Sequence, residues 1–125
     1  MAAMSDRRRA AAGATRVERL LAGPTTAGIH ETPPLLLDVR EAPEASFVSL
    51  PDSLLVPLGQ IPDRLDEIAE AAGGRDGSIV VYCHHGVRSA RALATLEKAG
   101  FTKVRHLTGG IDAWRVQVDP EMAAY

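Results

Sequence analysis

Ile79-Val80-Val81-Tyr82-Cys83-His84-His85-Gly86-Val87-Arg88-Ser89 is the stretch on which the fold class turns. Its first four residues form a short, continuous apolar run rich in β-branched and aromatic types, which predicts a strand buried on both faces. A helix is expected from about Arg88 to Ala99, carrying Leu93 and Leu96 with the small Ala90 and Ala94, and stopped by Gly100. Cys83 therefore sits where a buried strand ends and a tight loop turns into a helix.

The same alternation continues on either side. Upstream, Leu35-Leu36-Leu37-Asp38-Val39 is a second apolar run of strand length, and Leu54-Leu55-Val56, closed by Pro57, a third. Pro62 is placed as the first residue of a helix whose face is Ile61, Leu65, Ile68, Ala69 and Ala72, ended by Gly73-Gly74. Downstream, Val104 to Leu107 predicts a last strand, and Gly109-Gly110 leads into a short helix holding Ile111, Ala113 and Trp114. Strands that alternate with helices, without internal repeats, define an α/β domain with a mostly parallel sheet. Ahead of it, residues 1–13 are an Ala/Arg-rich tail without apolar period, and residues 14–125 make the folded domain. Thr15 caps an expected helix with Val17, Leu20 and Leu21 on one face, halted by Gly23-Pro24, before a polar loop that ends at Pro33-Pro34.

Composition narrows the function classes. A chain of 125 residues favours one domain, and 46% hydrophobic residues with only 4% aromatic ones imply an aliphatic core. A net charge of -2 leaves no nucleic-acid footprint, and Arg7-Arg8-Arg9 reads as a solvated cluster in the tail. Arg16, Glu18 and Arg19 interrupt what a secretory leader needs, about 7–15 apolar residues in a row. No run approaches the about 18 residues of a membrane span. The single cysteine excludes an internal disulfide and a Cys-x-x-Cys redox pair, and calls for no oxidising compartment. A cytoplasmic protein is expected, with neither nucleic acid nor membrane as partner.

The chemistry centres on Cys83. Ligands in open α/β sheets bind outside the carboxyl ends of the strands, where this loop is expected. Its backbone N–H groups are expected to form an inward-facing anion nest, to which the helix N-terminus adds partial positive charge and Arg88 a full one. Gly86 allows a backbone conformation that a Cβ would hinder. Each feature favours a thiolate, and equally a persulfide anion, at Cys83. Taken alone, the residue would read as a small buried apolar side chain; the strand–loop–helix with Gly86, Arg88 and Ser89 points to a nucleophile. His84 and His85 fit proton transfer, contact with an anion, or a plain solvated loop. Adjacent histidines on one tight loop seldom converge on one ion, and no spaced Cys/His set accompanies them, so no metal is expected.

From about residue 15 onward the chain resembles the rhodanese homology domain. Leu37-Asp38-Val39-Arg40-Glu41 is similar to the family's early strand motif, and Val56-Pro57-Leu58 to the segment before its next helix. Val81-Tyr82-Cys83 with Gly86, Arg88 and Ser89 resembles its active-site loop. Leu107-Thr108-Gly109-Gly110-Ile111-Asp112-Ala113-Trp114 resembles its C-terminal signature. The resemblance implies an open sheet flanked by helices on both faces. It implies a sulfurtransferase that holds sulfane sulfur on Cys83 as a persulfide, with no cofactor, and with His84, His85, Gly86, Val87, Arg88 and Ser89 forming the persulfide-binding loop. It places Asp38 and Arg40 nearby: Asp38 as half of a structural ion pair, Arg40 equally as a contact for an anionic donor. Thiosulfate or a low-molecular-weight persulfide is the donor implied. The ending Asp119-Pro120-Glu121-Met122-Ala123-Ala124-Tyr125 resembles rhodanese domains fused to E1-like adenylyltransferases, which implies a ubiquitin-like sulfur-carrier protein as acceptor.

Where the family usually has His-Ile-Pro-Gly-Ala, this chain has Ser49-Leu50-Pro51-Asp52-Ser53, and His84-His85 replaces a common basic-then-small pair. Two other classes compete. A Cdc25-type phosphatase shares the overall fold but uses Cys-x5-Arg to ring a phosphate; Cys83 and Arg88 bracket four residues, a ring better sized for one sulfur. A non-catalytic carrier or binding module is the other, against which the presence of the cysteine argues.

Overall fold

The computed structural model describes residues 33–125 and the backbone of residues 21–22. Strands β1 (Leu21–Ala22), β2 (Leu35–Asp38), β3 (Leu54–Leu55), β4 (Ile79–Tyr82) and β5 (Val104–Leu107) form one sheet in the order β1-β5-β4-β2-β3. β5, β4, β2 and β3 run parallel, and β1 closes the edge antiparallel to β5. Helices α1 (Ala42–Phe47), α2 (Leu65–Ala72), α3 (Val87–Lys98) and α4 (Gly110–Gln117) connect or follow the strands, with a 3-10 segment at Leu58–Asp63. The expected α/β class and mostly parallel sheet are what the chain forms.

β4 is central and buried at all four positions, because both of its faces are covered. On one face Leu37, Ile79, Val81 and Val104 pack with Ile61, Ile68, Ala92, Leu96 and Phe101, which brings α2 and α3 onto the sheet. On the other, Val80, Tyr82 and Leu107 pack with Leu50 and Ile111, joined by Val48, Trp114 and Met122. Burying one such aliphatic side chain contributes about 1.5–3 kcal/mol, so two continuous layers hold β4 rigidly.

The topology also locates a switch point. β2 leads outward to β3 on one side of the sheet, and β4 leads outward to β5 on the other. Strand order therefore reverses between β2 and β4, which pair through Leu37↔Val81 and Asp38↔Tyr82. Outside the carboxyl ends of those two strands lie Arg40 and Cys83, at the topological switch point where α/β ligands bind.

Several expectations need correction. Leu21, expected on a helix, lies in β1, where it supplies ladder partners to an otherwise open edge of β5; the rest of that helix, the Arg7-Arg8-Arg9 cluster, the 1–13 tail and the loop up to residue 32 lie outside the described residues. Pro62 is inside the 3-10 segment rather than at the start of a helix, and α2 begins at Leu65. The bonds there run from Gln60 N–H to Pro57 and from Arg64 N–H to Ile61, so none needs the N–H that proline lacks. On α3 the inward face is Ser89, Ala92 and Leu96, while Ala90 and Ala94 face outward. Helix α1 was not expected at all.

Candidate active site

Cys83 leaves the end of β4 with 1% of its surface exposed. Gly86, at φ +108°, reverses the chain and becomes the residue from which α3 starts. It offers α3 no side-chain cap, and the sulfur takes that place. Gly86 N–H donates to Cys83 Sγ at 3.0 Å and Ser89 N–H at 3.4 Å. These belong to the donors that a helix start leaves without partners, so Sγ faces the positive end of a 12-residue helix. The Ser89 hydroxyl is a third polar neighbour, 3.6 Å from the sulfur.

A second helix start closes on the loop from behind. Ile111 N–H donates to the Cys83 carbonyl at 2.8 Å, and Asp112 N–H to that of His84 at 3.1 Å. This docking needs glycine at position 110, since a Cβ there would overlap the carbonyl oxygens of Cys83 and His84.

The other expected site residues fall into distinct places. Arg88 reaches α1, where its guanidinium grips Glu44 through both nitrogens, NH1 to Oε2 at 2.7 Å and NH2 to Oε1 at 2.8 Å. That grip, more than any other factor, lowers the Glu44 carboxyl from 4.5 to about 2 and raises the arginine further above its ordinary value. The full positive charge expected beside Cys83 is thus shared with a carboxylate. Val87 is 72% exposed at the rim. His84 is half-buried, its ring layered between His85 at 3.9 Å and Tyr125 at 3.8 Å. Burial, then the neighbouring His85, lowers the His84 imidazole below its ordinary value. His85 is exposed, 3.8 Å from Asp112. The donor atoms of His84, His85 and Asp112 lie within 4.8 Å of one another. The two rings are stacked with 29° between their planes. Their in-plane lone pairs therefore run side by side rather than converging on a shared ion.

Asp38 and Arg40 form a buried unit beneath the loop. Arg40 donates to Asp38 from Nε at 2.9 Å, from NH2 at 2.7 Å and from its backbone N–H at 3.0 Å. NH2 also donates to the Val48 carbonyl and NH1 to the Tyr125 hydroxyl, and its side chain is 0% exposed. Arg40 thus faces the protein interior rather than an incoming donor. The Tyr82 hydroxyl donates to Asp38 at 3.1 Å and is pushed up to about 12, first by burial and then by that carboxylate. Ser53, in the divergent Ser49–Ser53 stretch, approaches the same hydroxyl at 2.9 Å, and Asp52 there adopts φ +60° where the resembled sequence has glycine.

Sequence reasoning missed three neighbours of the site. Glu44 binds Arg88 from 44 residues away. Tyr125 stacks on His84, accepts from Arg40 at 2.8 Å and donates to Glu44 at 3.1 Å. His106 on β5 places Nδ1 3.1 Å from the Ser89 hydroxyl. Only Tyr125 had a signal, its place in the family-like ending.

The rhodanese-like domain family model matches residues 17–117. The chain belongs to the rhodanese-like domain family. Among relatives of this rhodanese-like domain, the adenylyltransferase and sulfurtransferase MOCS3 of Arabidopsis thaliana is 34% identical over 102 residues, covering 73% of this chain and 22% of the relative. A sulfurtransferase of Allochromatium vinosum is 40% identical over 80 residues, covering 64% of this chain and 70% of the relative. A rhodanese-like domain protein from Staphylococcus aureus superposes with a TM-score of 0.61 at 28% identity, covering 78% of this chain and 86% of that one. The rhodanese-like domain thus spans about a fifth of the length of the MOCS3 relative, and most of the sulfurtransferase.

Proposed function

We propose that this rhodanese-like domain is a sulfurtransferase that holds sulfane sulfur on Cys83 as a persulfide. The observation that carries the reading is the sulfur of the only cysteine, received by two helix-start N–H groups at the carboxyl end of the central strand. In the first half-reaction the Cys83 thiolate attacks the outer sulfur of thiosulfate. The donor's S–S bond breaks, sulfite departs with the bonding electrons, and the new S–S bond leaves a persulfide anion. In the second, a nucleophilic acceptor such as cyanide attacks the terminal sulfur and the electrons return to Sγ; an acyl-adenylate is instead attacked by that sulfur, which expels AMP and forms an acyl disulfide that an external thiol reduces to the thiocarboxylate and the free Cys83 thiolate. Neither step calls for a metal or an organic cofactor. A low-molecular-weight persulfide serves in the same way as donor. A phosphatase is disfavoured by the short ring between Cys83 and Arg88, and because a phosphate would have to displace Glu44 from Arg88. A cytoplasmic place of action suits a lone thiol, and no described helix is long and apolar enough to cross a membrane.

For the acceptor we favour the tail of a ubiquitin-like sulfur carrier, on the resemblance of the Asp119–Tyr125 ending to domains fused to adenylyltransferases and on relatives such as MOCS3. The test offers thiosulfate with either cyanide or an ATP-activated carrier protein followed by a thiol reductant. Wild type forms thiocyanate and a carrier thiocarboxylate, and Cys83→Ser forms neither while keeping its fold. Turnover that persists in Cys83→Ser sinks the mechanism; discharge to cyanide or glutathione alone removes the carrier from it.

A further inference from the structure

Behind the cradle, a hydrogen-bonded chain runs from the nucleophile into the sheet: Cys83 Sγ, Ser89 Oγ at 3.6 Å, then His106 Nδ1 at 3.1 Å. The fold makes it. β5 pairs with β4 so that Val81 and His106 are opposite, and His106 shares the sheet face of Val104, the face that α3 covers. Ser89 is the third residue of α3 and points its 0% exposed side chain into the same gap.

Resting on the sulfurtransferase reading, we propose that His106, acting through Ser89, receives the Cys83 proton and so prepares the thiolate. The thiol S–H donates to Ser89 Oγ, while the Ser89 O–H turns from the Gly86 carbonyl, 3.1 Å away, to His106 Nδ1. Passage of both protons leaves a thiolate on Cys83, an intact serine and an imidazolium at His106, with nothing oxidised or reduced. The scheme requires a neutral ring with Nδ1 unprotonated at rest. Burial lowers the His106 imidazole from its ordinary value, so the ring takes up charge only while the Cys83 thiolate balances it. The charged and titratable groups around the chain are Arg88 from α3, bound by Glu44 of α1, and His84 and His85 of the loop with Asp112 of α4. β4 presents the apolar Val81 to His106. None of these touches Nδ1 among the described residues, so Ser89 is the route to it.

The Cys83 thiolate is titrated by its ultraviolet absorbance in wild type, His106→Asn, Ser89→Ala and the double variant; no reagent has to enter the buried site. Asparagine preserves a hydrogen-bond acceptor for Ser89 but takes no proton. In His106→Asn the thiolate is expected to appear about one pH unit higher, and on the Ser89→Ala background the same substitution moves it no further. Superimposable curves for wild type and His106→Asn overturn the relay, as does an equal shift in both backgrounds, which would make His106 merely structural. Should His106→Asn not fold, NMR titration of the His106 ring decides: its midpoint falls in Cys83→Ser if the two groups are coupled, and an unchanged midpoint overturns the proposal. These titrations do not involve thiosulfate, so a wild type that shows the coupling yet takes up no sulfur would sink the sulfurtransferase reading and leave the relay standing.

Discussion

A methyl group added at Gly110 would meet the carbonyl oxygens of Cys83 and His84, and the backbone there sits at φ +65°. Both objections concern backbone, which cannot swing aside as a long side chain does. Gly110→Ala is therefore expected to cost about 2 kcal/mol or more in urea unfolding, from a strained φ and from overpacking. Gly59→Ala, which meets nothing within 4 Å, serves as the control and should be near neutral. Equal stabilities for the two variants would mean that the second helix start is not held tightly against the loop. At the same scale, the chemistry rests on how Sγ replaces a cap. Asn, Asp, Ser or Thr at a helix N-cap offers an oxygen to the free N–H groups; here the cap is glycine, and the acceptor comes from the residue three positions earlier.

Helix α1 holds α3 from across the site through Glu44 and Arg88, partly screened by solvent at 23% and 33% side-chain exposure. Glu44 is depressed in the folded protein, so its contribution is complete above the ordinary value of 4.5 and is lost as the pH falls toward about 2. Wild type should lose about 1 kcal/mol across that interval from this pair, and Glu44→Gln should lack that part of the acid slope. Urea midpoints at several pH values check it; parallel slopes in the two proteins would contradict the pairing. The elements that sequence could reveal are those with strong local patterns. β2 and β4 stand out as short, largely apolar runs between proline, glycine or polar signals, and the Cys83–Ser89 loop follows β4 directly. Helix α1 buries none of its residues fully, so no apolar period marks it. Its only local trace is the capping box between Glu41 and Glu44 and an early proline. The Arg88–Glu44 and Arg40–Tyr125 contacts bridge 44 and 85 positions, and no local rule reaches that far.

Across the whole molecule, both core layers end at the same switch point between β2 and β4. The face carrying Val81 delivers Cys83, and the opposite face carries Tyr82, whose hydroxyl fastens Asp38 and the Leu50–Ser53 turn beneath the loop. Tyr125 then ties the C-terminal segment to α1 and to His84. This frame suits the proposed transfer, in which one sulfur anion is held at Cys83. The central claim is that sulfur rests on Cys83, and intact-mass spectrometry of the pure protein after incubation with thiosulfate tests it most directly. Wild type should gain the mass of one sulfur atom, lose it on addition of cyanide, and gain nothing as Cys83→Ser; an unchanged wild-type mass, or an equal gain in Cys83→Ser, would contradict the account.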